Sequence, residues 1–325
     1  MKRLGIFCFY EKKRVVARYI EYLLNDLKNV LDNLIVVVNG SLNDNGYKIF
    51  KKYADRIVIR ENIGYDAGAY KDIIVNYLGE DKIKYYEQII LCNDTFYGPF
   101  IHFTEIFAKM NKTQADFWGL NYLDNHLAPH IQSYFLVIGS SIIRNGDLYK
   151  FFQSYIDEKE TMIEEIYAKF EVGITKFFTR LGYWVSAFAS PSCCDIYYSS
   201  NYSIKRYNLP VIKKKCFSQG FFDKNTVMDS LQYIKKHLDY NIELILEDIR
   251  YAFDMNYTES DVEAWKVKCT AEIDVDVAKV ERKQVEDFFT ANEKIYIYGA
   301  GIVARIVCCS YLEYLSKIKG IVVSD

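Results

Sequence analysis

The sequence predicts an α/β fold built on a doubly wound, mostly parallel sheet. Compact apolar runs suited to buried strands alternate with segments in which apolar residues recur at helical spacing. The connections between them are only a few residues long, as expected of strands joined by crossover helices. With 325 residues, half of them hydrophobic, the chain is long enough to bury a substantial core.

The first hundred residues carry four of the predicted strands. Each strand is followed by a polar turn and then by a helical segment. The predicted strands are Leu4 to Phe9, Leu34 to Val38, Arg56 to Arg60 and Gln88 to Leu91. The first predicted helix has apolar residues on one face, namely Val15, Tyr19, Tyr22, Leu23 and Leu27. Two further helices are predicted over Tyr47 to Tyr53 and Ala67 to Leu78.

Residues 100–200 are predicted to complete this domain. A helical stretch to Met110 precedes two strand segments, DFWGL at 116–120 and HIQSYFLVI at 130–138, which flank a loop. Residues 147–182 are predicted to be helical, with Gly182 at their end. YWVSAFAS at 183–190 is predicted to be the last strand, so we place the end of the first domain near residue 200.

The chain changes character after residue 200. Two helical patterns, Met228 to His237 and Asn241 to Phe253, predict a helical subdomain over residues 201–290 that packs on the first domain.

Residues 291–325 predict a βαβ unit with a GxGxxA turn. Gly299, Gly301 and Ala304 form the fingerprint, and Asp325 lies near the end of the second strand. Because a dinucleotide-binding fold needs more strands than this, we interpret the unit as the start of a truncated second domain. A packing appendage is the alternative.

Charge and composition exclude several classes of protein. The net charge is −2, so no general field draws the chain to nucleic acid or to an anionic membrane. The short basic run Lys213 to Lys215 is expected to be a solvated loop. No segment approaches the ~20 continuous apolar residues of a membrane-spanning helix. We therefore expect a cytoplasmic protein that does not bind nucleic acid.

The cysteines and histidines do not predict a zinc site. The eight cysteines never occur at CxxC spacing and are expected to be reduced core residues. His126 and His130 have helical spacing, but Pro129 lies between them and argues against a metal-binding helix face.

Polar residues follow several predicted strands at the point where each strand ends. The carboxyl ends of parallel strands meet at one edge of a doubly wound sheet, where ligands bind. Gly64 lets the backbone beside Asp66 turn tightly and approach a ligand. Such residues are also common in ordinary turns, so both interpretations stay open. The candidate binding residues at this edge are Tyr10, Asn39, Asn62, Asp66 and Asp94.

The order of several motifs resembles that of the GT-A nucleotide-sugar glycosyltransferases. Among these, the chain is most similar to the rhamnan synthesis protein F family of bacterial cell-wall and capsule enzymes. The motifs are RENIGYDAGAYK at 60–71, CNDTFYGP at 92–99, DFWGL at 116–120, HIQSYFLV at 130–137 and FEVGITKFFTRLGY at 170–183. The resemblance covers about residues 3–195 and implies a GT-A-like fold there.

The resemblance implies that Asp94 binds a divalent cation, Mg²⁺ or Mn²⁺. In related enzymes the last carboxylate of a DxD-type motif binds the cation that bridges the donor diphosphate, and Asp94 stands at that place beside Asn93. A cation there neutralises charge on the departing diphosphate. Cys92 occupies the earlier acidic position. One carboxylate therefore remains, which implies weak metal binding or none.

The resemblance also implies a general base. In related inverting enzymes a helical acidic residue before a Gly-aromatic pair removes the proton of the acceptor hydroxyl, and Glu171 precedes Gly182 and Tyr183 in this way. An exposed helix glutamate is the alternative interpretation. Further candidates are Asn93, with Asn62 and Asp66, for the donor, and Asp116, Trp118, His130 and Gln132 for the acceptor or the diphosphate.

The implied function is transfer of a sugar, most plausibly L-rhamnose from dTDP-rhamnose, with inversion. The implied acceptor is a bacterial surface polysaccharide or its polyprenyl-linked precursor, reached by peripheral membrane contact. One alternative is a non-catalytic sugar- or nucleotide-binding subunit of a synthase complex, suggested by Cys92. A lesser alternative, suggested by the GxGxxA turn, is an NAD-dependent sugar-nucleotide oxidoreductase or epimerase.

Overall fold

The computed structural model describes residues 1–123, 128–155, 162–189, 196–197, 199–266, 287–298 and 317–322. The described residues up to Trp265 form one compact unit, and those from Lys266 onward belong to a second. Within these parts of the chain, no helix combines the length and apolar composition needed to span a bilayer.

A twisted α/β sheet organises the first unit. Its strands and two short flanking strands are β1 Arg3–Phe9, β2 Asn33–Asn39, β3 Arg56–Arg60, β4 Gln88–Asn93, β5 Phe96–Tyr97, β6 Phe117–Leu123, β7 His130–Ile131, β8 Phe135–Gly139, β9 Val185–Ala189 and β10 Ile212–Lys213. The main sheet has the order β3-β2-β1-β4-β8-β6-β7, with β9 also paired to β6. All neighbours from β3 to β4 are parallel, whereas β8 runs antiparallel to both β4 and β6. The predicted α/β fold with a mostly parallel sheet is confirmed.

Helices cover both faces of the sheet. They are α1 Arg18–Lys28, α2 Asp44–Tyr53, α3 Tyr65–Lys71, α4 Gly79–Ile83, α5 Phe103–Met110, α6 Ser140–Arg144, α7 Asp147–Tyr155, α8 Ile163–Ile166, α9 Gly173–Arg180, α10 Ser200–Tyr207, α11 Lys224–His237, α12 Glu243–Phe253 and α13 Glu259–Ala264. Two π-helical segments, Asp72–Leu78 and Tyr167–Val172, follow α3 and α8, and a 3₁₀ turn covers Lys214–Phe217.

Alternation along the central strands builds two hydrophobic clusters. In β1, Phe7 contributes to one cluster while Ile6 and Cys8 contribute to the other, because successive side chains point to opposite faces. Leu231 of α11 and Ile245 of α12 belong to the same cluster as Phe7. The helices after residue 200 therefore share a core with the sheet. The boundaries predicted at residues 200 and 290 stay predictions.

One predicted strand is interrupted in the structure. The segment 130–138 divides into β7 and β8, with a turn at Ser133 and Tyr134 between them. His130, Gln132 and Tyr134 therefore do not lie on one continuous strand.

The second unit contains two parallel strands, β11 Ile295–Tyr298 and β12 Ile318–Val322. Within it, Lys317 Nζ donates a hydrogen bond to the carbonyl oxygen of Phe289 at 2.7 Å. The GxGxxA residues Gly299, Gly301 and Ala304, together with Asp325, lie outside the described residues.

Candidate active site

The carboxyl ends of β1, β2 and β4 open into a cavity of about 480 Å³. This is the edge at which the sequence predicts a ligand, because parallel strands end there together. The predicted residues that line the cavity are Tyr10, Asn39, Asn62, Asp66, Asn93, Asp94 and Glu171. Ser133, Tyr134, Tyr197 and the lysine run Lys213, Lys214 and Lys215 also line it.

Asn39 and Arg60 fix the turn that carries the donor-site candidates. Arg60 Nη1 donates to Asn39 Oδ1 at 2.7 Å, and Asn39 Nδ2 donates to the carbonyl oxygen of Tyr65 at 2.8 Å. Arg60 Nη2 also donates to the carbonyl oxygen of Ile63 at 2.8 Å. Both the oxygen and the nitrogen of the Asn39 side-chain amide are thus hydrogen-bonded within the protein, which indicates that Asn39 positions the turn.

Glycines give this turn its shape. Gly64 adopts a left-handed conformation with φ 72° and immediately precedes α3. At Gly68, a β-carbon would meet the carbonyl oxygen of Ile63 at 2.4 Å. Gly64 itself does not line the cavity, so its role is to let the backbone turn before α3.

A chain of hydrogen bonds crosses the floor of the cavity. Lys213 Nζ donates to Thr95 Oγ1 at 2.5 Å, and the Thr95 hydroxyl donates to Asn93 Oδ1 at 2.6 Å. Asn93 Nδ2 then donates to Asp66 Oδ2 at 2.9 Å. Burial raises the pKa of Asp66, although the hydrogen bond from Asn93 acts in the opposite direction. The chain joins a cation on one side of the cavity to a carboxylate on the other.

Asp94 follows β4 and is almost fully buried. The backbone N–H of Tyr10 points to Asp94 Oδ2 at 3.4 Å, and the hydroxyl of Tyr19 donates to the Asp94 carbonyl oxygen at 2.9 Å. Burial raises the pKa of Asp94 from 3.8 to about 6, against the lowering effect of Lys214. The carboxyl is therefore mostly ionised at neutral pH.

Glu171 lies on the π-helical segment Tyr167–Val172 and lines the cavity. Its Oε2 accepts hydrogen bonds from the backbone N–H of Ser133 at 2.9 Å and from the Ser133 hydroxyl at 2.5 Å. Burial raises the pKa of Glu171, but hydrogen bonds from His130 and Ser133 outweigh burial and leave the pKa below its ordinary value. Glu171 is thus held as a carboxylate.

The imidazole ring of His130 lies between the backbone of Ala128 and the side chain of Glu171. Its Nδ1 lies 2.7 Å from the carbonyl oxygen of Ala128, and a carbonyl oxygen only accepts, so Nδ1 carries a proton. Its Nε2 faces Glu171 Oε1 at 3.4 Å. His130 is therefore a buried neighbour of Glu171 that does not itself line the cavity.

The expectation that the lysine run is a solvated loop was wrong for Lys213, which is buried, and for Lys214, which is partly buried, whereas Lys215 is exposed. Lys213 is only 7% exposed, because β10 pairs with β5 and brings the run beside the segment that follows Asp94. Its Nζ lies 4.3 Å from the centre of the Tyr134 ring. Burial lowers the pKa of Lys213 from 10.5 to about 8, while the carboxylates of Glu171 and Asp66 act in the opposite direction.

None of the four predicted acceptor-site or diphosphate-site residues lines the cavity, which corrects their predicted position, and His130 contacts Glu171 from outside the lining. Trp118 is buried edge-on against Phe107, with ring centres 5.0 Å apart, and belongs to the core. Asp116 precedes β6, at the amino end of that strand, where it accepts hydrogen bonds from Ser141 and from the backbone N–H of Trp184. Gln132 is buried and accepts from Asn121 Nδ2 at 2.5 Å.

In the described parts of the chain, the side chains around Asp94 do not form a coordination site for a divalent cation. Cys92, at the earlier position of the motif, contributes its side chain to the hydrophobic core. Across the described ranges, no three His, Cys, Asp or Glu side chains cluster in a way that could hold a metal ion. The neighbouring charge that acts most strongly on Asp94 is the ammonium of Lys214.

Comparison with known proteins gives a family and several partial relatives. A family model described as rhamnan synthesis protein F matches residues 34–282, which is more than half of the chain. Virulence protein VirA of Vibrio anguillarum is 28% identical over 190 residues, 56% of this chain and 57% of that protein. The uncharacterized protein y4gN of Sinorhizobium fredii is 23% identical over 196 residues, 58% of this chain and 49% of that protein. The chain spans about half the length of these curated relatives.

Solved structures give weaker similarities. A putative nucleotide-diphospho-sugar transferase from Desulfovibrio desulfuricans is 13% identical, with a TM-score of 0.37, and the match covers 62% of this chain and 88% of that one. TarS of S. aureus is also 13% identical, with a TM-score of 0.37 and coverage of 84% of this chain and 46% of that one.

Proposed function

Because the chain belongs to the rhamnan synthesis protein F family, we propose that it is a glycosyltransferase that takes its sugar from a nucleotide-sugar donor. The observation that carries this proposal is the convergence of Glu171, Asp66, Asp94 and Lys213 on one cavity at the carboxyl ends of the parallel strands. Small-molecule sites typically measure about 300–1,000 Å³. The cavity, at about 480 Å³, has the size of such a site.

The proposed reaction is a single inverting displacement. The acceptor hydroxyl oxygen forms a bond to the anomeric carbon while the bond from that carbon to the diphosphate oxygen breaks, and the electron pair leaves with the diphosphate. Glu171 takes the proton of the hydroxyl as the new bond forms. Its ionised state and its two hydrogen bonds from Ser133 support this role, because a base must be both deprotonated and fixed in direction.

The donor nucleotide is proposed to lie between the turn that contains Asn62 and the end of β1. The side-chain oxygen of Asn62 is buried and has no hydrogen-bond partner among the described residues, which suits a ribose hydroxyl as donor. Tyr10 lines the cavity with its ring about half exposed, which suits stacking on a base. Asp66 and Asn93 are proposed to face the ribose and the sugar.

The finer assignment follows the family. We propose L-rhamnose from dTDP-rhamnose as the sugar and a bacterial surface polysaccharide, or its polyprenyl-linked precursor, as the acceptor. A lipid-linked acceptor implies work at the inner face of the cell membrane with peripheral contact. The related enzymes use a divalent cation at the position of Asp94, but no step of the proposed reaction depends on one.

A non-catalytic binding subunit of a polysaccharide synthase is the second candidate. The observation that favours it is the position of Cys92 in the core, which leaves Asp94 without a second acidic partner from its own motif. Both candidates bind a nucleotide sugar, but only the enzyme releases nucleoside diphosphate from it. Measuring that release separates the two.

A thermal-shift panel of UDP, GDP, dTDP and CMP, with and without Mn²⁺, tests the proposed function. A ligand that binds only the folded protein raises its melting temperature by mass action. We expect dTDP, the nucleotide of the proposed donor, to raise the melting temperature more than CMP does. No shift with any nucleotide, in either condition, would contradict a nucleotide-sugar site.

A further inference from the structure

Lys213 is a buried cation that lines the cavity. In the part of the chain that the structure describes, its Nζ makes no ion pair, and its hydrogen bond goes to the neutral hydroxyl of Thr95. A buried ammonium without a counter-charge is costly, so such a group normally faces a ligand of opposite charge. The side chain is more than nine-tenths buried and lines the cavity. This arrangement suits a site for an anion.

Lys214 adds a second cation beside it, held in a fixed position. Its Nζ lies 3.0 Å from Asp248 Oδ2 and donates a hydrogen bond to the Tyr19 hydroxyl at 3.0 Å. Tyr97 also donates to Asp248 Oδ2, at 2.6 Å, which fixes the carboxylate. Lys214 is therefore held in a fixed orientation at the cavity wall, while among the described residues Lys213 Nζ donates a single hydrogen bond, to Thr95.

We propose that Lys213, supported by Lys214, binds the diphosphate of the nucleotide-sugar donor in place of a divalent cation. The inference rests on the proposed function and adds the group that neutralises the leaving diphosphate. When the bond from the anomeric carbon to the diphosphate oxygen breaks, the electron pair remains on that oxygen. The ammonium hydrogens of Lys213 bond to the diphosphate, while the acceptor proton goes to Glu171. Pre-oriented positive charge at the leaving group is an established way of stabilising such a transition state.

The position of the run supports this assignment. Lys213 is opposite Phe96 in the antiparallel pair of β10 with β5, and the backbone N–H of Lys214 donates to the Thr95 carbonyl oxygen at 3.0 Å. Both lysines are thereby placed beside the segment that starts at Asp94, where the related enzymes hold their metal. The cavity thus has two lysines near Asp94, and among the described residues its carboxylates do not cluster in a way that could hold a metal ion.

Isothermal titration of the 325-residue chain with UDP, GDP and dTDP, in EDTA and again in excess Mg²⁺, tests the inference. Each titration is made with the wild type, with Lys213→Met and with Lys213→Arg. Lys224→Met is the matched control, because Lys224 packs over Tyr257 and Trp265 and does not line the cavity. Circular dichroism of each variant establishes that it is folded.

We expect the wild type to bind at least one of the three nucleotides as tightly in EDTA as in Mg²⁺. Lys213→Met should weaken that binding by about 10- to 100-fold, the usual effect of losing hydrogen bonds from a charged group. Lys213→Arg should retain part of the affinity, and Lys224→Met all of it.

Binding that requires Mg²⁺ would overturn the inference while leaving the proposed function in place. Equal affinity in the wild type and in folded Lys213→Met would also overturn it. Should Lys213→Met fail to fold, the comparison of EDTA with Mg²⁺ in the wild type still decides. Absence of binding by all three nucleotides in both conditions would overturn the inference together with the proposed function.

Discussion

Ser133 donates two hydrogen bonds to one carboxylate oxygen of Glu171, one from its backbone N–H at 2.9 Å and one from its hydroxyl at 2.5 Å. Ser133 lies in the turn between β7 and β8, and Glu171 lies 38 residues later on a helix. The turn and the helix thus jointly fix the direction of the proposed base. The same two bonds favour its ionised form.

Ser133→Ala is expected to move the acid limb of the pH–rate profile to higher pH. Loss of the hydroxyl removes a donor that stabilises the ionised carboxylate, so the pKa of Glu171 rises. The base acts only when ionised, and more alkaline conditions are then needed to ionise it. The profile of kcat against pH for the wild type and the variant measures this. Ser154→Ala, at an exposed serine of α7, is the control, and a superimposable profile for Ser133→Ala would contradict the role of Ser133.

The sequence predicts much of the cavity because its residues follow neighbouring strands. Tyr10, Asn39 and Asp94 come directly after β1, at the end of β2 and after β4, and parallel strands present their carboxyl ends at one edge. Asp116, a candidate implied by the resemblance, precedes β6 and therefore lies at the amino end of that strand. Trp118 shows the limit of residue type alone, since a buried tryptophan more often packs in the core.

The lysines were missed because a long-range contact brings them to the site. Lys213 is more than one hundred residues from Thr95 in sequence, and its local pattern is only a short charged run. At Gly98, a β-carbon would meet the carbonyl oxygen of Pro210 at 2.6 Å, so glycine allows the close approach of these two distant segments. Ser133 was missed for another reason. The sequence predicts one strand across residues 130–138, but a turn that contains Ser133 interrupts it and directs this residue to the cavity.

Asp94→Asn is expected to stabilise the protein at neutral pH relative to the wild type and to leave the fold intact. The folded-state pKa of Asp94, about 6, exceeds its ordinary value of 3.8, so ionisation of this carboxyl costs folding free energy. The penalty is absent at low pH, grows as pH rises between these two values and is constant above them. The variant lacks it and should gain on the order of 1–3 kcal/mol near pH 7.

Thermal unfolding of wild type and Asp94→Asn at about pH 4 and about pH 7 measures this difference. The gap between the two melting temperatures should be larger near pH 7. Asp44→Asn, at an exposed residue in the first turn of α2, is the control. A gap of the same size at both pH values would show that Asp94 is not buried as a charge.

Nucleoside diphosphate binding should weaken as pH rises through about 8, the pKa of Lys213 in the folded protein. Lys213 binds an anion only as the ammonium, which is the main form below that pH and is lost above it. Affinity should then fall by at most about tenfold per pH unit. Titrations of the wild type and of Lys213→Arg across this range measure the effect.

The arginine variant isolates the contribution of Lys213, because Asp66, Asp94 and Glu171 face the cavity in both proteins. A guanidinium keeps its charge throughout this range, so its affinity should stay level. An equal decline in both proteins would assign the pH dependence to another group.

Removal of residues 267–325 is expected to leave nucleotide binding unchanged. The residues that line the cavity and those of both hydrophobic clusters all lie at or before Trp265. The thermal shift produced by the best nucleotide should therefore be the same in the shortened chain as in the full chain. Loss of the shift, or failure to obtain folded protein, would show that the second unit contributes to the first.

The rate of sugar transfer by Glu171→Gln at saturating donor is the most direct test of the proposed mechanism. Release of nucleoside diphosphate from dTDP-rhamnose, with a rhamnose-rich oligosaccharide as acceptor, is measured for wild type and variant. Glu164→Gln and Glu165→Gln provide the control, because both residues are exposed on α8, the helix that leads into the segment carrying Glu171. We predict that Glu171→Gln lowers turnover by about 10²–10⁴-fold with donor affinity retained, while both controls keep the wild-type rate. Equal turnover in all three variants would contradict the assignment of Glu171 as the general base.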